Sequence, residues 1–122
     1  MEKHISIVIL KNSEVFFDDN LKNILYGIEE EGIPFVVEDR KEMDSDVLGN
    51  EASQISKLDV GIGIGINSIT LYHEKLEFGK ALFKLTLKEK RERYRALGIN
   101  SARLIKGVYF KLDGWEVNGW IL

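Results

Sequence analysis

The sequence has 122 residues, of which 44% are hydrophobic and 30% are charged, and its net charge is −3. This length and composition are typical of one soluble globular domain, and the weak negative charge gives no general reason to expect binding to nucleic acid or to a membrane. The sequence contains no cysteine, which excludes disulfides, thiolate catalysis and cysteine-based metal sites.

The first third of the chain alternates between strand and helix patterns. Residues 5–10 form a β-branched run typical of a buried strand, and this run is too short for the apolar part of a signal peptide. A polar residue at positions 18–20 can cap a helix that continues to about Glu31, with its apolar residues on one face. Gly32 suits the left-handed position after this helix, and residues 34–38 predict the second strand.

A glycine-rich strand follows. Residues 43–57 show a weaker helical pattern, and in residues 58–66 glycine and isoleucine alternate with the period of a strand. Because one face of this strand is bare backbone, we expect another element to pack very close to it. A Rossmann fingerprint instead needs its glycines in a turn between a strand and a helix, so these glycines do not predict nucleotide binding.

The last part of the chain predicts two more strands and a long helix. Residues 69–73 indicate a neighbouring antiparallel strand, and residues 81–85 a short further strand. Residues 86–106 indicate a helix that Gly98 bends or splits. The order β-α-β-α-β-β-β-α predicts an α/β fold with a mostly parallel sheet that is covered on both faces.

Three consecutive carboxylates, Glu29, Glu30 and Glu31, come directly before the stop of the first helix; we call them the acidic triplet. Carboxylates at a helix C-terminus oppose the helix dipole, at a cost of about 0.3–1 kcal/mol each when exposed. We therefore expect a cation or a partner's basic surface opposite the triplet; the alternative is a solubilising acidic patch. Helix geometry points Glu30 away from the apolar face, whereas Glu31 lies at the edge of that face.

Two further polar features lie near the C-terminus. Asn100 and Arg103 have a spacing that can place both on one helix face. Arg103 either pairs with an acidic residue such as Glu38 or belongs to a partner surface. Residues 88–95 hold five basic and two acidic residues, which predicts a solvated helix face with local ion pairs; docking to an acidic protein is the alternative.

No catalytic or cofactor-binding residue is predicted. His4 and His73 lack the spacing of metal ligands, and the sequence has no nucleophile elbow. A Walker A signature is also missing, so we do not expect this chain to hydrolyse ATP by itself.

Three segments together resemble a known family. They are residues 27–34 (GIEEEGIP), 61–65 (GIGIG) and 98–107 (GINSARLIKG), and in this order they cover roughly residues 5–110. They are similar to the small subunit of the diol/glycerol dehydratase reactivases and to the related medium subunit of the dehydratases. The resemblance implies that residues 1–110 form one three-layer α/β/α domain, whose mostly parallel five-stranded sheet has one antiparallel strand. Residues 111–122 are then a C-terminal extension.

The resemblance also implies a chaperone-like subunit that is not an enzyme. Such a subunit joins a large, actin-like ATPase subunit that carries the ATP, and the complex releases damaged cobalamin from a coenzyme-B12-dependent dehydratase by subunit exchange. The middle glutamate of the motif, which is Glu30 here, reaches a Mg²⁺-type ion at the interface with the large subunit. We assign Glu29, Glu31, Asn100 and Arg103 to the same partner interface. No cofactor is expected on this chain alone.

Alternatives remain open at this stage. A medium subunit of a dehydratase is the second hypothesis, although such subunits carry extra segments at both ends; a stand-alone domain that binds a small molecule is the third. Trp115 and Trp120 in the extension are expected to pack on this domain or on a partner. The chain is predicted to be cytoplasmic. The sequence leaves open whether the client uses glycerol or a diol, whether the protein joins a microcompartment, and whether the isolated subunit self-associates.

Overall fold

The computed structural model describes residues 5–112. The elements are, in chain order, β1 (Ile7–Asn12), α1 (Asn23–Glu30), β2 (Phe35–Arg40), α2 (Ser45–Ile55), β3 (Val60–Ile64), β4 (Ser68–His73), β5 (Phe83–Thr86) and α3 (Arg91–Lys106). The five strands form one sheet in the order β2-β1-β3-β4-β5. β1 is parallel to β2 and β3, whereas β4 is antiparallel to both of its neighbours. The predicted α/β fold, with one antiparallel strand in a mostly parallel sheet, is confirmed.

Helices cover both faces of the sheet. Successive side chains of a strand point to opposite faces. Ile7 and Ile9 of β1 therefore join the larger core cluster with α1 and α3, whereas Val8 and Leu10 join a smaller cluster with Leu48 of α2. The three layers follow from a β1 strand that is buried on both sides.

The glycines of β3 let α2 approach the sheet closely. A Cβ atom at Gly63 would overlap the backbone of Ser45 and Gly49, and a Cβ at Gly61 would overlap that of Ser53. The expected close approach is confirmed, and the approaching element is α2. Because these glycines lie inside a strand under a helix, they do not form a phosphate-binding loop.

A second pair of glycines brings α1 and α3 together. A Cβ at Gly98 would overlap the carbonyl oxygen of Ile24, and a Cβ at Gly27 would overlap that of Arg95. The helix α3 is continuous from Arg91 to Lys106. The prediction that Gly98 bends or splits it is therefore wrong, because this glycine makes room for α1 and leaves its own helix intact.

The ends of the helices follow the sequence signals with small shifts. α1 begins after a turn in which the Asp18 carboxylate accepts a hydrogen bond from the Leu21 amide at 2.8 Å. Gly32 has a φ of 75°, as predicted for the residue after α1, and Gly107 ends α3 with a φ of 71°. Asp44 caps α2 by accepting a hydrogen bond from the Asp46 amide at 2.8 Å. None of these helices is long and apolar enough to cross a bilayer.

Some sequence predictions concern residues outside the described range. His4 precedes it, and Trp115 and Trp120 of the extension follow it. The placement of these side chains stays a prediction.

Candidate functional site

The acidic triplet lies at the end of α1, alongside α3. Both helices follow strands that run in the same direction, so α1 and α3 also run in the same sense. The close approach at Gly27 and Gly98 brings the side chains of α3 within reach of the C-terminal turn of α1. The carboxylates of α1 therefore face arginines and a lysine of α3.

Glu30 is exposed and faces one cation. Its Oε2 lies 3.3 Å from Nε of Arg95, and the two side chains are 48% and 41% exposed. The Arg95 guanidinium also lies 3.5 Å from Oδ1 of Asn23 and 6.0 Å from the centre of the Tyr26 ring. An exposed ion pair of this kind contributes about 0–1 kcal/mol to stability, so Glu30 is held only weakly.

Glu31 is held by two cations and is only 15% exposed. Its Oε1 lies 3.4 Å from Nε of Arg103 and 3.3 Å from Nζ of Lys106. Partial burial favours the protonated carboxyl, but the hydrogen bonds from Lys106 and Arg103 outweigh burial and lower the pKa of Glu31. The acidic residue that Arg103 pairs with is thus Glu31, whereas Glu38 forms an ion pair with Arg40 on β2.

The third member of the triplet, Glu29, is exposed. In the described part of the chain, the basic side chains of α3 are directed at its two neighbours. Side chains of α3 thus place positive charge opposite two of the three carboxylates, which offsets their unfavourable position on the helix dipole. A bound cation or a partner's basic surface at the triplet stays a prediction.

Asn100 is fully buried, so its side chain holds a segment of this chain and is not presented to solvent. Its amide nitrogen donates to the Lys111 carbonyl at 2.9 Å, and its Oδ1 accepts from the Lys111 amide at 2.6 Å. Arg103 donates through Nη1 to the Tyr109 carbonyl at 3.3 Å. Both residues therefore shape the chain that follows α3, where the Tyr109 side chain is 95% exposed. Their assignment to a partner interface stays a prediction.

Sequence reasoning missed the contribution of Tyr26 and Arg95. The basic run 88–95 was predicted to form local ion pairs, and Arg93 does pair with Glu89 at 3.3 Å. Arg95 reaches across to α1 instead. The sequence signal was Gly98, three residues after Arg95, because a glycine inside a helix can indicate close packing of another element. It does not indicate which element packs there.

The described residues do not form a complete metal site. Within residues 5–112 there is no group of three or more His, Cys, Asp or Glu side chains that could hold a metal ion. A carboxylate oxygen is nevertheless a suitable ligand for Mg²⁺ or Ca²⁺. Glu30 is exposed, although it already faces a guanidinium. Its role as one ligand to a cation held mainly by another protein stays a prediction.

His73 has a structural role at the end of β4. Its Nδ1 accepts a hydrogen bond from the Lys75 amide at 3.1 Å. Burial lowers the pKa of His73, while the nearby Asp59 carboxylate acts in the opposite direction. His73 therefore serves a local backbone contact at the end of the strand.

Comparison with known proteins agrees with this architecture. The family model described as "Dehydratase medium subunit" matches residues 4–111. The propanediol dehydratase-reactivating factor small subunit of Citrobacter freundii is 38% identical over 91 residues, which are 73% of this chain and 77% of the relative. The diol dehydratase-reactivating factor small subunit of Klebsiella michiganensis is 32% identical over 98 residues, which are 80% of this chain and 78% of the relative.

Two solved structures share the fold. A glycerol dehydratase reactivase aligns with a TM-score of 0.82 and 24% identity, covering 87% of this chain and 96% of that one. A diol dehydratase-reactivating factor, described as complexed with ADP and Mg²⁺, aligns with a TM-score of 0.80 and 30% identity over the same shares. The chain therefore belongs to the dehydratase medium subunit family, together with the small subunits of the propanediol and diol dehydratase-reactivating factors.

Proposed function

We propose that this chain is the small, non-catalytic subunit of a reactivase that releases damaged cobalamin from a coenzyme-B12-dependent diol or glycerol dehydratase. The observation that carries the proposal is the 38% identity to a reactivating-factor small subunit over 73% of the chain. The exposure of Glu30, whose side chain is 48% accessible, is compatible with contact with a partner.

The proposed mechanism is competition between similar interfaces. The chain shares its family with the dehydratase medium subunit. A small subunit with a similar surface can take the place of the medium subunit on the dehydratase, which opens the enzyme and lets the damaged cofactor leave. ATP is bound and hydrolysed on the large reactivase subunit, and the ADP and Mg²⁺ in the similar reactivating-factor structure are consistent with this division of roles.

The proposed contact with the large subunit includes the end of α1. Glu30 would hold a Mg²⁺-type ion through its carboxylate, and the ion would supply positive charge to the contact between the subunits. Glu29 and Glu31 lie beside it on the same turn. Asn100 and Arg103 act on this surface through the segment they hold, which presents Tyr109.

The proposal also covers the domain boundaries, the location in the cell and the association of the free subunit. We place the family domain at residues 1–110 and the extension at residues 111–122. We also propose a cytoplasmic location, with or without a bacterial microcompartment. A free small subunit, whose partner surface is unsatisfied, is expected to be able to self-associate.

Co-purification tests the proposal. The tagged chain is co-expressed with a reactivase large ATPase subunit and, separately, with a dehydratase large subunit, both with Mg²⁺ present. We expect a stable complex with the ATPase subunit that Glu30→Ala and chelation of divalent ions both weaken. Glu77→Ala is the matched control, because Glu77 is an exposed carboxylate (78%) in the β4–β5 connection.

The second candidate function is that of a dehydratase medium subunit, which the description of the matching family model favours. Binding only to the dehydratase large subunit, with cobalamin retained in that complex, would establish this alternative and overturn the reactivase proposal.

A further inference from the structure

We propose that Arg95 is an internal counter-cation, which pairs with Glu30 in the free subunit and competes with a divalent cation for the Glu30 carboxylate at a partner interface. This inference rests on the function proposed above. It concerns a residue of α3 that controls how available the carboxylate of α1 is.

The position of Arg95 is fixed by the helix packing. The backbone of α3 contacts Gly27 at Arg95, because a Cβ at Gly27 would overlap the Arg95 carbonyl oxygen. From there the side chain extends along α1, where it contacts Glu30, Asn23 and the Tyr26 ring. The guanidinium therefore lies over the same surface that the acidic triplet presents.

The two cationic partners of Glu30 compete for its carboxylate. A divalent ion binds a carboxylate oxygen at about 2.0–2.6 Å, and the guanidinium donates to an oxygen of the same group. Both are positively charged, so the ion binds more weakly while Arg95 stays at 3.3 Å from Oε2. Release costs little, because both side chains are well exposed.

A comparison with Glu31 explains why Glu30 can give up its arginine partner more easily. Among residues 5–112, Glu31 has two cationic partners and is 15% exposed, whereas Glu30 has one and is 48% exposed. When Glu30 is withdrawn, Arg95 keeps its two weaker contacts with Asn23 and Tyr26. The guanidinium can thus move away from Glu30 and remain on α1.

The test measures the dissociation constant between the full chain and the large ATPase subunit as a function of Mg²⁺ concentration. Arg95→Met removes the charge and keeps the length of the side chain. We expect it to tighten the complex about two- to five-fold, the factor that corresponds to a weak exposed ion pair. The matched control is Arg91→Met, which removes the same charge one turn earlier on α3, where Arg91 pairs with Glu92. The control is expected to leave affinity unchanged.

A double variant assigns the effect to Glu30. In the Glu30→Gln background, Arg95→Met should give no tightening. If Arg95→Met alone leaves the affinity unchanged or weakens it, or if it tightens the Glu30→Gln complex equally, Arg95 does not compete for Glu30 and the inference is overturned.

NMR of the isolated subunit separates this failure from failure of the proposed function. The chemical shift of the Arg95 Nε–Hε resonance should change in Glu30→Gln and stay unchanged in the control Glu77→Gln. If it does not change in Glu30→Gln, the inference is overturned, whether or not the large subunit binds. If that resonance responds but wild-type chain does not bind the large subunit, the ion pair exists and the proposed function is what has failed.

Discussion

Gly27 of α1 and Gly98 of α3 each lie directly against the backbone of the opposite helix. Adding a Cβ at either position would overlap a carbonyl oxygen, that of Arg95 in the first case and that of Ile24 in the second. The two helices therefore approach each other through backbone contacts, and this approach brings Arg95 to Glu30 and Arg103 to Glu31.

The first prediction concerns Gly98→Ala. Within an ordinary helix this change is favourable by about 0.5–1 kcal/mol, because glycine has the larger conformational entropy to lose. Here the overlap with Ile24 must push the helices apart, so we expect the free energy of unfolding to fall by about 1–3 kcal/mol, as measured by urea denaturation. A variant as stable as the parent chain would show that α1 does not approach so closely.

The second prediction concerns the pH dependence that Glu31 gives to stability. The pKa of Glu31 is lowered in the folded state, so its contribution is present above the unfolded pKa and is lost as pH falls through the folded pKa. We expect Glu31→Gln to lower the free energy of unfolding by about 1 kcal/mol at pH 7, and by much less at pH 3. Urea denaturation at both values measures this.

Glu29→Gln is the matched control for that experiment, because it removes the same charge from an exposed neighbour. If both variants lose the same free energy of unfolding, the effect comes from the total negative charge of the acidic triplet. That result would contradict a specific role for Arg103 and Lys106.

The third prediction concerns the tie between Asn100 and Lys111. Asn100→Ala removes a donor and an acceptor that hold both backbone polar groups of Lys111. We expect a loss of about 1–3 kcal/mol in the free energy of unfolding and faster hydrogen exchange at the Lys111 amide. Asn67→Ala, at an exposed position in the β3–β4 connection, serves as the control. Unchanged exchange at Lys111 would rule the tie out.

The fourth prediction concerns Tyr72 on β4. Its hydroxyl donates to Oδ1 of Asp46 at 2.7 Å and accepts from the Gly79 amide at 2.9 Å. Burial raises the pKa of Tyr72, and the hydrogen bond to Asp46 raises it further. In a spectrophotometric titration of the folded protein, we expect Tyr72 to stay protonated at about pH 10, where free tyrosine ionises.

The sign of the effect on stability follows. Because the folded pKa lies above the unfolded one, the contribution of Tyr72 is fully present below about pH 10 and declines as pH rises through the folded pKa. Tyr72→Phe should lower the free energy of unfolding at pH 7 by about 1–2 kcal/mol. If the titrations of the parent chain and Tyr72→Phe differ by one tyrosine that ionises near pH 10, Tyr72 is not buried and hydrogen-bonded in this way.

Much of the fold could be predicted because its signals are local. The period of two in residues 58–66 indicated β3, and its bare face indicated a close neighbour, which is α2. The left-handed glycine after α1 was also predicted, since Gly32 follows the last helical turn. These features depend on residues that are close together in the sequence.

The site was harder to predict, because its partners are far apart in the sequence. The basic residue opposite Glu30 is Arg95, 65 positions further along the chain, and Arg103 reaches Glu31 over a similar separation. A run of basic residues does not show which of them pair locally. The role of Gly98 could not be predicted for the same reason, because the backbone that it contacts belongs to α1.

The glycine contacts on both sides of the sheet have a consequence for association. Gly61 and Gly63 fix the distance from β3 to α2, and Gly27 and Gly98 fix the distance from α1 to α3. None of these contacts depends on rotamers, so the layers have little freedom to slide or separate. The surface at the end of α1 is therefore preorganised. When a partner docks on it, little conformational entropy is lost in ordering the backbone of this chain.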